Sequence, residues 1–518
     1  MISEEAKTGA GAAGVETPSR ATDGVAPGVA GEATPGGRLA HRAVQGVVWT
    51  YVSFAGSKLL VFISTVVLAR LLAPAEFGQV GFALLVISYM DTVGDFGVSS
   101  ALIYERERPE EAANVAFLIS LATGLAWFAA CFAGAPLVAD FFNDPAVVPV
   151  LRVMSLVFIV NALGNTHDAI LRRDLDFKKR LVPDFAMAAL KGVCSVGLAL
   201  AGWGVWSLVW GQLIGTAAAT VALWLIVPWR PRLRATWARA RGMLAYGGQI
   251  VSVNVISAIV HDADFVIVGR VLGSAALGLY SLAYRTPEFF ITMVIWVIGK
   301  VTFPVYSKLR DDPEALSEAF LMTLRYLSLI TLPAGLGLAA LGGLFVEGFY
   351  GGQWVPAVRT LQALAVAGAL RSLGSHAGDV YKATGRPGIL TKLGLLRAAV
   401  IVPAMLWGAR YGIFGVAVAQ LIVTAGSTLL NLYVAGRVLR LSAWALLAEF
   451  KTAALASVLM VAALELLLPL LAGAPRAVGL GAGVLAGACV YASAVWLVGR
   501  ETIRDARATL LTSLRRAA

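Results

Sequence analysis

The sequence predicts an all-α integral membrane protein of about fourteen transmembrane helices, in two parallel-repeat six-helix lobes with two further helices at the C-terminal end. Three observations carry that expectation. The 518-residue chain is 58% hydrophobic and only 14% charged, with a mean hydropathy of +0.77, which leaves too little polar surface for a water-soluble protein of this length. Its apolar residues gather in long runs. Those runs also repeat: residues 67–80, VLARLLAPAEFGQV, are echoed 200 positions later by 267–280, IVGRVLGSAALGLY, pairing Arg70 with Arg270, Leu72 with Leu272 and Gly78 with Gly278.

The runs lie at 44–70, 77–98, 114–139, 147–171, 185–202, 205–227, 246–271, 278–303, 321–342, 358–380, 389–409, 412–435, 449–471 and 477–498. Each can cross a hydrocarbon core about 30 Å thick as a helix. The thinnest join is between the fifth and sixth, where Gly202, Trp203 and Gly204 stand alone. Residues 1–39 are rich in Gly, Ala, Pro, Thr and Glu without an apolar period, which reads as a disordered cytoplasmic tail. No basic stretch leads into a short apolar one, so the tail does not read as a secretory signal.

Two more blocks extend the repeat. Asp140, Phe142, Pro149 and Arg152 match Glu347, Phe349, Pro356 and Arg359 at an offset of 207. Gly204 and Gln212 match Gly412 and Gln420 at an offset of 208, within GQLIGT (211–216) and AQLIVT (419–424). The expected organisation is therefore a lobe at 40–228, a basic linker at 229–243, a second lobe at 244–437, two added helices at 438–499 and a basic cytoplasmic tail at 500–518. Both lobes start on the same side of the membrane, so their pseudo-twofold axis runs along its normal. Paired bundles around a central site are the sequence signature of a transporter.

The net charge of +11 is topological. Basic residues crowd alternate loops: Arg172, Arg173, Lys178, Lys179 and Arg180; Arg230, Arg232, Arg234, Arg239 and Arg241; and Arg500, Arg504, Arg507, Arg515 and Arg516. The 139–147 loop between them has no Lys or Arg. The positive-inside rule then puts both termini in the cytoplasm, and the charge is no sign of a nucleic-acid partner. Cys131, Cys194 and Cys489 all fall inside spans as packing residues, with no disulfide or metal spacing. The longest internal loop expected, 304–320, holds at most a short interfacial helix, which argues against an enzyme with a folded catalytic domain. The run GLGAGVLAG (479–487) lies within a span and follows no strand, so it reads as helix packing, as do Gly211 with Gly215 and Gly483 with Gly487. No cofactor or metal is expected.

The run VVLARLLAPAEFGQVGFALLVISYMDTVGDFGVSSALIYER (66–106), with DADFVIVGRVLGSAALGLYSLAYRTPEFF (262–290) and VTFPVYSKL (301–309), resembles polysaccharide transporters of the multidrug/oligosaccharidyl-lipid/polysaccharide exporter superfamily. That group includes the Wzx-type flippases. The resemblance covers about residues 40–440. It implies two six-helix lobes in a V around a cavity, and movement of polyprenyl-pyrophosphate-linked oligosaccharides across the inner, cytoplasmic membrane for exopolysaccharide, O-antigen or capsule synthesis. A glycan polymerase and a chain-length regulator would be the partners. A lipid II flippase and a MATE-like ion-coupled small-molecule antiporter are the rival readings.

Charges inside spans should face a cavity or a partner, since each costs about 2.5–3.5 kcal/mol at the bilayer centre on insertion scales. The cations are Lys58, Lys191, Arg285, Arg371 and Arg397, expected to bind an anionic headgroup because guanidinium and ammonium groups match phosphate. For Arg371 the alternative is a structural pair with Asp379. For Arg285 it is a salt bridge to Asp264. Asp91, Asp95, Asp262, Asp264 and Glu288 are the candidates for ion coupling or gating, and His167 with Asp168 either gate a mouth or end a helix. Residues i and i+2 differ by about 200° around a helix, so at most one of Asp262 and Asp264 is expected in the cavity.

Overall fold

Helices account for nearly all of the described residues, and a few glycines decide where the chain turns between them. The computed structural model describes residues 56–94, 102, 109–174, 176–232, 240–241, 262–471 and 473–499. The tail at 1–39, Asp95, His41, His261, most of the basic linker and much of the first and seventh expected spans lie outside them. The helices are α1 over 56–71, α2 (Pro74–Gly94), α3 (Pro109–Phe142), α4 (Val147–Met154) running through Ser155 into α5 (Leu156–Arg173), α6 (Phe177–Leu200) and α7 (Val205–Ile226). Then come α8 (Ala263–Lys308), α9 (Pro313–Ala340) and the short α10 (Gly342–Phe345), followed by α11 (Val358–Ser375), α12 (Ala377–Ala383), α13 (Gly388–Gly408), α14 (Gly412–Leu439), α15 (Ala443–Leu467) and α16 (Arg476–Val498).

Nine helical stretches among the described residues are long and apolar enough to cross a membrane, as an all-α multi-pass protein requires. Two of them, Ala263–Lys308 at 46 residues and Gly388–Leu439 at 52, are more than twice the roughly 20 residues a crossing needs. Both break at a glycine in the left-handed region, Gly273 (φ +86°) and Gly412 (φ +73°), a conformation that side chains with a Cβ rarely adopt. Beyond Gly273 the chain folds back. The Tyr280 hydroxyl donates to Asp264 at 2.9 Å, and the Phe265 ring lies 5.1 Å from that of Tyr284. The thin join between the fifth and sixth spans is likewise a turn, after which α7 packs along α6.

One expectation changes. The 304–320 loop is only residues 309–312, because α8 runs on to Lys308 and α9 already starts at Pro313. The Asp312 carboxylate accepts from the Ala315 amide at 3.0 Å, and the cap followed by proline at the first helical position fixes that early start. Conversely, the stretch expected to be a loop before α11 is wound into a π-turn (Val346–Tyr350) and a 3-10 turn (Gly352–Ala357).

Large apolar side chains such as Leu137, Val193, Leu225 and Leu466 are exposed, as they are on a surface that meets lipid. Close approaches inside use small residues. A Cβ on Gly211 would stand 1.8 Å from Ser195 Oγ, and one on Gly215 would stand 2.9 Å from the Met187 carbonyl oxygen.

The last two helices dock on α9. Arg325 of α9 meets Glu449 of α15 at 2.6 Å, and the Tyr491 hydroxyl of α16 donates to the Leu329 carbonyl at 2.8 Å. Glu449→Ala is expected to cost about 1–3 kcal/mol, because the partly buried Arg325 charge loses its carboxylate. Arg325→Met with Glu449→Met should recover most of that loss, read as the thermal midpoint in detergent.

Candidate functional site

The site is built from helix faces. On α1, Lys58, Val61, Phe62, Thr65 and Leu68 recur at three- and four-residue spacing, and on α8 so do Ser281, Arg285, Glu288 and Thr292, which aligns each set on one side of its helix. With Lys191 of α6, Gln212 of α7 and Asp262 at the start of α8, they line a cavity of about 480 Å³. Its residues come from both repeats.

Three cations and two carboxylates share this cavity: Lys58, Lys191 and Arg285 with Asp262 and Glu288. Lys191 Nζ donates to Gln212 Oε1 at 2.6 Å. Lys58 and Arg285 both act on Lys191 electrostatically, and Glu288 is the acid that acts on Arg285. Arg285 is exposed although Tyr284 and Thr286 beside it are buried, so its side chain reaches into the cavity. One wall is aromatic. Phe62 of α1 stacks on Phe289 of α8 at 5.1 Å and lies against Phe290, Phe345 and Phe349. An apolar wall beside clustered cations lowers the local dielectric and strengthens their pull on an anion.

A recess of about 20 Å³ adjoins this cavity, sharing Tyr284 and Glu288 with it and adding Arg371, Gln420 and Thr424. Arg371 donates to the Tyr284 hydroxyl and to Thr292 Oγ1, both at a long 3.4 Å. Its alternative partner, Asp379, is engaged elsewhere. The helix is interrupted at His376, and the Asp379 carboxylate takes the Thr302 hydroxyl at 2.9 Å and faces His376 at 3.2 Å and Lys382 at 3.4 Å. Arg397 lines neither space, but it lies close enough to Arg371 to interact with it electrostatically.

The remaining acids divide. Asp262 lines the cavity, whereas Asp264 is buried and holds Tyr280. Asp91, in the last turns of α2, lines neither the cavity nor the recess. His167 is fully buried, its ring 4.7 Å from Trp224 and 5.2 Å from Trp229, and Asp168 bonds Arg172 at 2.7 Å and Arg180 at 2.8 Å. Both behave as parts of a packed helix end.

Sequence reasoning missed how the two repeats are joined next to Leu68 and Tyr350 of the cavity wall. At the C-terminal end of α1, carbonyl groups that lack intrahelical partners are capped from the other repeat. Gln353 Nε2 donates to the carbonyls of Ala69 at 2.6 Å and Leu72 at 3.0 Å, and the buried Trp354 indole donates to Ala69 at 2.7 Å. Arg70 reciprocates by donating to the carbonyls of Gly348 and Phe349. Beside this latch, Gly78 packs on the Ser274 carbonyl and Gly278 on the Pro74 carbonyl, where added Cβ atoms would stand at 1.8 and 1.9 Å. Residues 74 and 274 are themselves 200 apart, so the contact is reciprocal between the repeats. Arg476 of α16 buttresses the latch through Glu347 at 2.9 Å.

Comparison with known proteins follows the same lines. A family model described as "Polysaccharide biosynthesis protein" matches residues 67–359. The chain is 26% identical over 399 residues to the lipopolysaccharide biosynthesis protein WzxC of Escherichia coli (strain K12), across 76% of this chain and 81% of that one. It is 27% identical over 373 residues to the succinoglycan biosynthesis transport protein ExoT of Rhizobium meliloti (strain 1021), across 72% and 76%. Among solved structures it is similar to the lipid II flippase MurJ in an inward closed conformation, with a TM-score of 0.71 at 16% identity, covering 88% of this chain and 100% of that one. It is also similar to an inward-facing MATE family multidrug resistance transporter, with a TM-score of 0.59 at 15% identity, covering 74% and 96%. At such identities the two structures speak for the fold.

Proposed function

The chain belongs to the polysaccharide biosynthesis protein family, and from that premise we propose that it is a flippase for polyprenyl-pyrophosphate-linked oligosaccharide repeat units. It is a multi-pass membrane protein, and its relatives are named for polysaccharide biosynthesis and transport rather than for an enzymatic reaction. The observation that carries the reading is the cavity where Lys58, Lys191 and Arg285 converge from both repeats. A pyrophosphate is an anion that several clustered cations can hold at once, through charge-assisted hydrogen bonds.

The chemistry is binding and release, with no bond made or broken. The polyprenyl tail stays in lipid while the headgroup and first sugars enter sideways between the lobes 40–228 and 244–437, since a cavity of about 480 Å³ has the size of a small-ligand site. Asp262 and Glu288 compensate the cations when the anion leaves. With both termini in the cytoplasm, the latch at Arg70 sits on the outer face of the cytoplasmic membrane. Closed there, the cavity accepts substrate from the inner leaflet, and alternating access requires the latch to part. A glycan polymerase and a chain-length regulator would receive the product.

The MATE-like reading lacks support, because a cation substrate would face Lys58, Lys191 and Arg285. The lipid II reading rests on fold alone. A deletion strain is expected to accumulate lipid-linked repeat units facing the cytoplasm, protected from an impermeant glycosidase in intact spheroplasts. Normal surface glycan in that strain, with no second exporter, overturns the proposal.

A further inference from the structure

The two repeats carry the same polar device on corresponding helices, and in this conformation it is closed in one and open in the other. In the first repeat, Lys191 of α6 donates to Gln212 Oε1 of α7 at 2.6 Å, and Gln212 in turn reaches Thr216 Oγ1 at 3.4 Å. Gln420 and Thr424 of α14 are the counterparts of Gln212 and Thr216, each 208 positions on, and Arg397 of α13 stands 206 positions after Lys191. Here the circuit is not made. Gln420 Oε1, Thr424 Oγ1 and Arg397 Nε are buried and have no hydrogen-bond partner among the described residues. Gln420 is 8% exposed and Thr424 2%. Native structures rarely leave such groups unpaired, so a pair of them on one wall of a recess marks a place where something else bonds.

Size and chemistry narrow the occupant. The recess measures about 20 Å³, and a single water-sized oxygen needs about 10–15 Å³, so one oxygen fits and a phosphate does not. Gln420 Oε1 and the Glu288 carboxylate can only accept and therefore demand a donor. The Arg371 guanidinium on the same wall can only donate and demands an acceptor. A cation meets Arg371, and a deprotonated phosphate oxygen meets Glu288 and Gln420. A hydroxyl gives its one hydrogen to Gln420 Oε1 or to Glu288 and accepts from Arg371, so it meets both kinds of demand.

We propose that the recess walled by Arg371, Gln420 and Thr424 is a saccharide-hydroxyl subsite. It reads one hydroxyl of the glycan while Lys58, Lys191 and Arg285 hold the pyrophosphate. The shared walls Tyr284 and Glu288 place this contact beside the cationic cavity, as a sugar attached to a bound pyrophosphate requires. The inference rests on the flippase reading, and a bound water is the other source of the same hydroxyl chemistry.

The test is a binding titration of the purified full chain in nanodiscs with two probes: bare undecaprenyl pyrophosphate, and the sugar-bearing lipid recovered from the deletion strain. The wild type is expected to prefer the sugar-bearing lipid. Thr424→Val and Gln420→Leu should each weaken binding of that lipid by about fivefold, the worth of one neutral hydrogen bond, and leave the bare lipid within about twofold. Thr424→Ser, which keeps the hydroxyl, should retain the preference, and this Val/Ser pair decides if Gln420→Leu fails to fold. Equal weakening for both probes, or a preference that survives Thr424→Val, means the recess holds only water and overturns the subsite. A wild type that binds both probes equally overturns the subsite but leaves the flippase reading standing. One that binds neither overturns both.

Discussion

Arg285→Met is expected to lower affinity for undecaprenyl pyrophosphate by about 10- to 100-fold, the loss of one charge-assisted contact or bidentate pair. The ligand-free protein should stay as stable as the wild type or become slightly more so. The two halves of this expectation have one cause. Lys58, Lys191 and Arg285 share a cavity, and the first and third both repel the second. Removing one charge relieves repulsion in the empty protein, where Glu288 still shares the recess with Arg371 and the cavity with Lys191, and removes attraction in the loaded one. A purely structural arginine would behave in the opposite way, since truncation would leave its partners unpaired and lower the unfolding midpoint. Lys191→Met should lose affinity similarly with a smaller gain in stability, because it also strips Gln212 of its donor. The measurement is the thermal midpoint with and without lipid: bound ligand raises it by mass action, and that rise should shrink in both variants. A lower ligand-free midpoint with an unchanged ligand-induced rise would remove Arg285 from the substrate site.

How much of this was legible in the sequence depends on distance along the chain. Span positions follow from apolar run length, and the hairpin turns coincide with glycines that the repeat alignment already marked, Gly204 and Gly412 among them. Lys58, Lys191 and Arg285 stood out because charge inside a span is costly, and all three line one cavity. Side-chain pairings were less accessible because they depend on how each helix is rotated about its axis. Asp379 follows Arg371 by about two turns across the helix break at His376, and it pairs with its own helix end and Thr302 instead. The latch was invisible for another reason. Trp354 and Ala69 are 285 residues apart, and nothing local to a Gly-Gly-Gln-Trp turn says that it caps a helix in the other repeat. The sequence did hold one clue: Gly78 and Gly278 repeat because each lies against the other's helix.

That reciprocal contact leads to the second large expectation. Gly78→Ala and Gly278→Ala should each hold the protein open at the latch end and stop transport without abolishing headgroup binding. An alanine Cβ at Gly78 would stand 1.8 Å from the Ser274 carbonyl oxygen, and one at Gly278 would stand 1.9 Å from that of Pro74. Both obstacles are backbone, which cannot swing aside as a side chain can, so the helices must separate. Overpacking of this kind costs about 1–3 kcal/mol, and all of that cost falls on the closed state. An equilibrium between closed and open states would shift toward open by about 5- to 150-fold. Because the contact is a single seam seen from two sides, the double variant should exceed either single variant by less than the sum. The readout is labelling of a Ser64→Cys reporter, which lines the cavity, by an impermeant thiol reagent applied to sealed cells, in a background without native cysteines. Labelling should rise in both variants. Gly426→Ala meets nothing within 4 Å and should label like the wild type. Labelling of Gly78→Ala at the wild-type level, with the protein correctly inserted, would mean that the seam does not gate the cavity and that closure lies in the Arg70, Gln353 and Trp354 contacts alone.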